Sequence, residues 1–460
     1  MGARTNGESV NWYGFKFSWT PYHQMPDELS HYLHTFDHLS AQALDAFDPL
    51  CPSSRKDNPH SKDTFNILKE CAHEDPHVRE LLQEIYTIPP WIDWDQIERG
   101  QRVLWRYALP SITCLIYMSL LGGMSSSRTV ETLDRTGSFG CSSVRRRILE
   151  TAQHALYVHK DLKSIQPGGE GWESSIRVRL LHSSVRRRIM QLAKEHPDYY
   201  DIDKYGIPIN DLDCIGTISL YSSCMIWLGL PQQGIYLSEC ETADYLALWR
   251  YVAYLMGVPH DWMKTPQESR AMMESLLISE YKPSKKSSIL ANNILHGIEG
   301  QPPMYASRQF LGAQAWWLNG SELSQALGIL RPSLYYTALM ASQCFYFRIL
   351  SSIIAAIPFL ESITTNFSKK LCQDIFVEDK NLGALGYKTK FTFKWIPNLI
   401  RTTTPPGGSN DDREKQSAGF NSHLLERVAL LNLMFISIVG IYLGYLFVRA
   451  IHCIYFFFLF

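Results

Sequence analysis

The 460-residue chain lacks the signatures of several large enzyme classes. It has no Gly-x-Ser-x-Gly elbow, no His-Glu-x-x-His pair, no phosphate-cradling glycine loop and no dinucleotide fingerprint. Hydrolase, zinc-protease and nucleotide chemistry therefore find no support in it. Its ten cysteines are scattered without a Cys-x-x-Cys pair, so neither a zinc site nor a disulfide framework is indicated. They read as buried, reduced thiols. Charge is nearly balanced, at a net −1 with pI near 6.9, so no global field steers the chain toward nucleic acid. Met1 to Ser9 lacks the apolar run of a signal peptide. Asn6 stands where a myristoylation motif needs Ser or Thr. The glycosylation patterns at Asn319 and Asn366 are accordingly read as chance.

Aromatic residues are plentiful: 12 Trp, 24 Tyr and 21 Phe suit either a large helical core or a large apolar pocket. Residues 176–189 organise the rest. Val178, Leu181, Val185 and Ile189 fall at i, i+3, i+7 and i+11, the buried stripe of a helix. His182 lies inside that stripe. An imidazole there needs partners for its ring nitrogens, and two readings are open. One is a core histidine bonded to a carbonyl; the other is a single axial ligand to an iron porphyrin in a dry slot. A second helix, over Val144–Val158, places Arg147, Thr151, Ala155 and Val158 on one side. His31, His34, Asp37 and His38 have metal-like helix spacing, but a solvated helix face explains them equally well.

The remaining pattern predicts helix after helix. One long apolar helix is expected through Trp105 to Leu121, and a short one over Ser125–Gly140 ended by Thr136-Gly137. Others are expected over Asp211–Trp227, Tyr245–Met256 and Gln267–Tyr281. Leu334–Phe359 is apolar but carries Gln343 and Arg348 mid-run, so it reads as a buried or interfacial helix rather than a span. Val428–Val448 is long enough to cross a bilayer, at roughly 30 Å for twenty-one residues, and is flanked by Arg427 and Arg449. The expected division is an N-terminal arm over 1–88, a main domain over 89–370, an extension and linker over 371–423, and an anchor over 424–460.

Several fragments in order then point to a family. They are Asp93-Trp94-Asp95-Gln96-Ile97-Glu98-Arg99-Gly100-Gln101, Ser119-Leu120-Leu121-Gly122-Gly123, Arg147-x-x-x-Thr151, and Arg177-Val178-Arg179-Leu180-Leu181-His182 with Arg186. Gly206-Ile207-Pro208-Ile209-Asn210 follows, with Asp213 and Thr217. The set resembles the family uniting fungal MpaB-type ER-bound oxygenases with bacterial rubber oxygenases. The resemblance implies an all-α, globin-like bundle around haem b, with a C-terminal transmembrane helix. It implies oxidative cleavage by O2 of a C=C bond in an isoprenoid or prenylated substrate. His182 matches the iron ligand, Arg147 and Thr151 the haem-pocket pair, and Glu131 is the candidate acid/base group. Arg179, Arg186 and Thr217 are the further candidate cofactor contacts. The lysine before the matching Thr in rubber oxygenases is Glu150 here, placing the chain nearer the fungal branch. A monomer on the endoplasmic reticulum, its catalytic domain in the cytosol, is the expected setting. A haem-binding sensor or carrier without turnover, and a metal-free helical membrane scaffold, are the competing readings.

Overall fold

Nearly every apolar periodicity in the chain becomes a helix, and about half of the longer ones begin at a side chain that caps them. The computed structural model describes residues 4–50, 64–302, 304–378, 396–397, 399 and 423–459. A hairpin, β1 (Ser9–Trp12) and β2 (Phe15–Ser18), pairs Val10 with Phe17 in antiparallel register. The helices that follow are α1 (His38–Leu50), α2 (Thr64–Glu70), α3 (Pro76–Tyr86), α4 (Trp94–Arg106) and α5 (Ala108–Cys114). Next come α6 (Ser127–Thr136), α7 (Val144–His159), α8 (Glu170–Glu195), α9 (Asp211–Tyr221) and α10 (Glu239–Leu255). The last six are α11 (Pro266–Glu280), α12 (Lys285–Ile298), α13 (Arg308–Ala326), α14 (Leu334–Ala356), α15 (Pro358–Gln373) and α16 (Leu424–Leu459). The fold is all-helical apart from the hairpin.

Local chemistry sets the boundaries. The Asp93 carboxylate accepts from the backbone of Asp95 and Gln96 at the start of α4, and the Asn210 amide oxygen accepts from Asp213 at the start of α9. Ser238 and Glu241 form a capping box on α10. α6 stops at Gly137, whose φ of +64° suits glycine alone among common residues. The helix expected through Trp105 to Leu121 is instead two: α4 and α5 with its π-helical continuation Leu115–Gly122 meet at 87° around Tyr107. The run expected as one helix to Phe359 breaks at Ile357, because Pro358 cannot sit inside a helix. The histidine spacing of 31, 34 and 38 does not become one helix face. Residues 30–33 form a 3₁₀ turn and His38 opens α1, so the three histidines share no helix side. Among the described residues no group of His, Cys, Asp or Glu could hold a metal ion.

α8 is the central strut. Its stripe of Val178, Leu181, Val185 and Ile189 is buried as the periodicity requires, and it packs against α1, α7 and α10. Trp172 near its start is fully buried and stands edge-on to Phe65 of α2. The N-terminal arm is therefore not peripheral, for Val10, Leu29 and Phe65 belong to the same core as Trp172 and Trp249. Much of the expected linker, 402–423, lies outside the described residues. α7 and α8 meet most closely at Gly171, where a Cβ would lie 2.6 Å from the Tyr157 carbonyl oxygen. Both chains there are backbone, so neither can swing aside. Gly171→Ala is expected to cost about 1–3 kcal/mol by overpacking, read as a lowered denaturation midpoint; an unchanged midpoint would refute the tight α7–α8 contact.

Candidate active site

α6, α7, α8, α9 and the π-helical segment after α5 border a cavity that, with the open solvent at its mouth, holds about 1040 Å³. Two walls are apolar, from Leu120, Met124, Leu133, Phe139, Leu181, Val185 and Leu220. A polar arc faces them: Thr129, Thr132 and Thr136 from α6, and Asp213 and Thr217 from α9.

His182 projects from α8 onto this cavity. Neither of its ring nitrogens has a hydrogen-bond partner among the described residues, whereas two neighbouring histidines each bond through Nδ1. His154 Nδ1 lies 2.8 Å from Ser174 Oγ, and His159 Nδ1 lies 2.8 Å from the Ala155 carbonyl oxygen. Burial, reinforced by the positive charges of Arg186 and Arg147, pushes the His182 imidazole down to about 3. The ring is thus neutral at physiological pH, with lone pairs available to an electrophile.

Arg147 and Thr151, one turn apart on α7, line the same cavity. The Thr151 hydroxyl donates to the Arg147 carbonyl (3.0 Å) and the Thr217 hydroxyl to the Asp213 carbonyl (2.8 Å). Four of the seven residues expected at the site therefore reach it: His182, Arg147, Thr151 and Thr217. Three do not, each for a definite reason. Glu131 faces away from the cavity, held by Arg135 Nη1 (2.6 Å) and Lys286 Nζ (2.7 Å). Burial alone would raise its carboxyl, but those two cations win and hold it below the usual carboxylate range. It is an ion-pair member and does not line the cavity, so the structure does not bring the expected acid/base group to the site.

Arg179 makes a bidentate pair with Asp37 (2.6 and 2.8 Å) and a further bond to Glu84 (2.7 Å). Its guanidinium is spent on α1 and α3, so it is not a cofactor contact. Arg186 also stays outside the cavity. It donates to the Ile209 carbonyl (2.8 Å), bonds Ser183 Oγ, and lies over the Phe36 ring. Ile209 holds a φ of +53°, a strained conformation for a β-branched residue, and it lines the cavity. Arg186 thus positions a cavity wall through a backbone carbonyl. Next to His182, Ser183 also meets Ser40, which bonds Asp37. One polar network outside the cavity fixes the helix that carries the imidazole.

The residue that sequence reasoning undervalued is Asp213. It lies on the cavity wall, accepts from Thr129 Oγ1 (2.8 Å), and is pushed up to about 6 by burial, with Arg128 opposing and Glu280 adding to the rise. Thr129 continues through Ser126 (3.0 Å) to the Glu280 carboxylate, which pairs with Arg128. The signal for this arc was present in Thr129, Thr132 and Thr136, which repeat at i, i+3 and i+7.

A second cavity of about 560 Å³ adjoins the first, sharing Leu120, Thr151 and Tyr221 as the boundary. Its other walls are Leu104, Ile112, Leu115, Ile116, Ile148, Ala152, Ala155, Leu156 and Phe376. It presents almost no polar group.

Against this geometry stand the comparisons. The model of the ER-bound oxygenase MpaB/B′ and rubber oxygenase catalytic domain matches residues 105–344, just over half of the chain and every residue of the cavity. The chain belongs to this family. It is an oxidoreductase of the oxygenase class. Among solved structures, latex clearing protein in its closed state superposes with a TM-score of 0.55 at 17% identity, covering 84% of this chain and 98% of that one. That match establishes a shared helical fold. No curated protein sequence matches the chain.

His154 and His159 are held neutral by burial, each pushed down to about 4 from an ordinary 6.5. Below pH 6.5 the unfolded chain binds protons at these rings that the folded chain refuses. Their contribution to stability is therefore complete above pH 6.5 and is lost as pH falls toward 4. Denaturant midpoints should decline across that window with uptake of up to two protons on unfolding, and His159→Gln should flatten the decline; a midpoint independent of pH there would contradict the assignment.

Proposed function

We propose that the chain is a membrane-anchored, haem-b-dependent oxygenase that cleaves a C=C bond of an isoprenoid or prenylated substrate with O2. The observation that carries this reading is the His182 ring, neutral, without a hydrogen-bond partner, and turned onto a large cavity in the family's catalytic region. A buried polar group left unpaired costs about 1–3 kcal/mol. A metal–nitrogen bond would remove that cost. The donor set suits a b-type haem, with one neutral imidazole on a largely apolar lining and Arg147 bordering the same cavity for an anionic propionate. When bound, an iron porphyrin supplies the dioxygen chemistry that no side chain offers.

This chain's own residues then have defined tasks. The network of Arg179, Asp37, Ser40, Ser183 and Arg186 holds α8, and so fixes the direction of His182. Leu181, Val185 and Leu220 keep water from the slot. Thr151 stands where the two cavities meet, between the cofactor side and the apolar side. The second cavity, with walls fit only for hydrocarbon, supports a chain-like isoprenoid substrate. In the overall reaction both atoms of O2 end in the two carbonyl products, and the carbon–carbon double bond is lost. No net proton is needed. Glu150 is paired with Arg146 (2.9 Å) and is off the cavity wall, so no charged side chain replaces the lysine of rubber oxygenases.

We read α16 as a single-pass anchor to the endoplasmic reticulum, with a monomeric catalytic body on the cytosolic side. Three helices are long and apolar enough to cross a membrane among the described residues, or four if the bent α4–α5 pair is counted. Asp211–Gln232 is mostly inside the body and lines the cavity. Leu424–Arg449 is the one whose apolar stretch the body leaves wholly uncovered.

Purified full-length protein should show a Soret band and iron near one per chain, and His182→Ala should collapse the band while far-UV helicity is retained. A band of full height in that variant would remove His182 as the ligand. With a prenylated test compound and O2, the wild type should give carbonyl products; an intact compound beside a full Soret band would favour a sensor or carrier.

A further inference from the structure

We infer that the outer face of α14 and α15 is seated in the bilayer beside α16, so that the apolar cavity is filled from the lipid phase. The inference rests on the reading of α16 as a membrane anchor. On α15, Phe359, Ile363, Phe367 and Leu371 recur at i, i+4, i+8 and i+12, and their exposures are 73%, 49%, 65% and 39%. On α14, Ile349 and Ile353 continue the row at 42% and 45%. Single exposed apolar residues are ordinary, but a continuous row of this size marks a surface that is covered. The opposite side of α15 is used for folding, since Thr365 and Cys372 are buried and Glu361 binds Arg106 of α4.

The neighbour identifies the occupant. α16 begins against α14, where Ser342 Oγ donates to the Ala429 carbonyl (3.2 Å) and Leu425, Leu430 and Leu433 pack around Met340. Beyond that contact α16 leaves the body with its apolar sides bare. Hydrocarbon surrounding α16 must therefore begin at the edge of α14. α14 is itself apolar enough to enter it, with only 39% of its span buried by protein. A water-soluble partner would cover α15 but leave α16 in water, whereas a bilayer covers both.

The arrangement has a consequence for the site. Phe376 lies in the π-helical turn Asp374–Glu378 that directly follows α15, and it walls the second cavity. A lipid-dissolved chain then has an apolar path from the α15 surface past Phe376, and an aqueous approach is unnecessary. The ligand class this selects is a hydrocarbon chain that partitions into membranes.

Full-length protein in phosphatidylcholine vesicles carrying a diazirine on the acyl chain tests the inference by photolabelling and peptide mapping. Label is expected on 428–448 and also on 345–371. In Phe359→Asp/Phe367→Asp, whose changed residues are exposed, label on 345–371 should fall at least fivefold while that on 428–448 and the haem content persist. Label confined to 428–448 in the wild type would overturn the docking face and leave the anchor standing, as would label on 345–371 that ignores both charges. Label on neither segment would overturn the anchor and the inference together.

Discussion

A neutral imidazole turned onto a large cavity, without a hydrogen bond to either nitrogen, is the constraint on which the structure turns. Other polar side chains of the core do make bonds, His154 with Ser174, Asn319 with the Tyr117 carbonyl and the Gln101 amide nitrogen with the Val158 carbonyl. Burial and two nearby arginines hold the ring neutral, which is the state a metal requires and the state a solvated histidine would share with its cation.

Much of the surrounding fold serves to keep that ring where it is. α8 is 26 residues long and packed on several sides, and its surface outside the cavity is locked by ion pairs and hydroxyls rather than by hydrocarbon alone. Arg186 extends the lock to Ile209, holding a strained turn that closes the cavity floor. α7 approaches α8 closely where Gly171 meets the Tyr157 carbonyl, and the earlier turns of α7 carry Arg147 and Thr151 to the cavity that His182 lines. The two cavities differ in polarity because α6 and α9 give hydroxyls and a carboxyl to one, while α4, α5 and the far half of α7 give only hydrocarbon to the other.

The helical architecture was legible because burial at period 3.6 leaves its mark on each segment independently. So was the His182, Arg147 and Thr151 set, since one helix face suffices to align each. The failures came where a face had to be known relative to a neighbour. Glu131 follows Thr129 by two residues, and that offset turns it from the cavity toward Lys286 of α12, which lies 155 positions away. Arg179 and Arg186 stand one turn before and after His182 on its own side of the helix, but their long side chains are drawn off by Asp37 and the Ile209 carbonyl, which come from distant segments. The bend at Tyr107 was hidden within an apolar run, whereas the break at Ile357 was marked by Pro358, a local signal that the apolar pattern around it masked. The seating of the N-terminal arm in the main core is likewise a long-range fact, set by Phe65 on Trp172.

The most direct measurement is chemical rescue of His182→Gly, a change that leaves an imidazole-sized void on the cavity wall. Free imidazole should enter it, restore the Soret band and the ferric electron-paramagnetic signature of a nitrogen-ligated haem, and do so with saturation. Retention of a wild-type haem spectrum by His182→Gly without added imidazole would contradict the account.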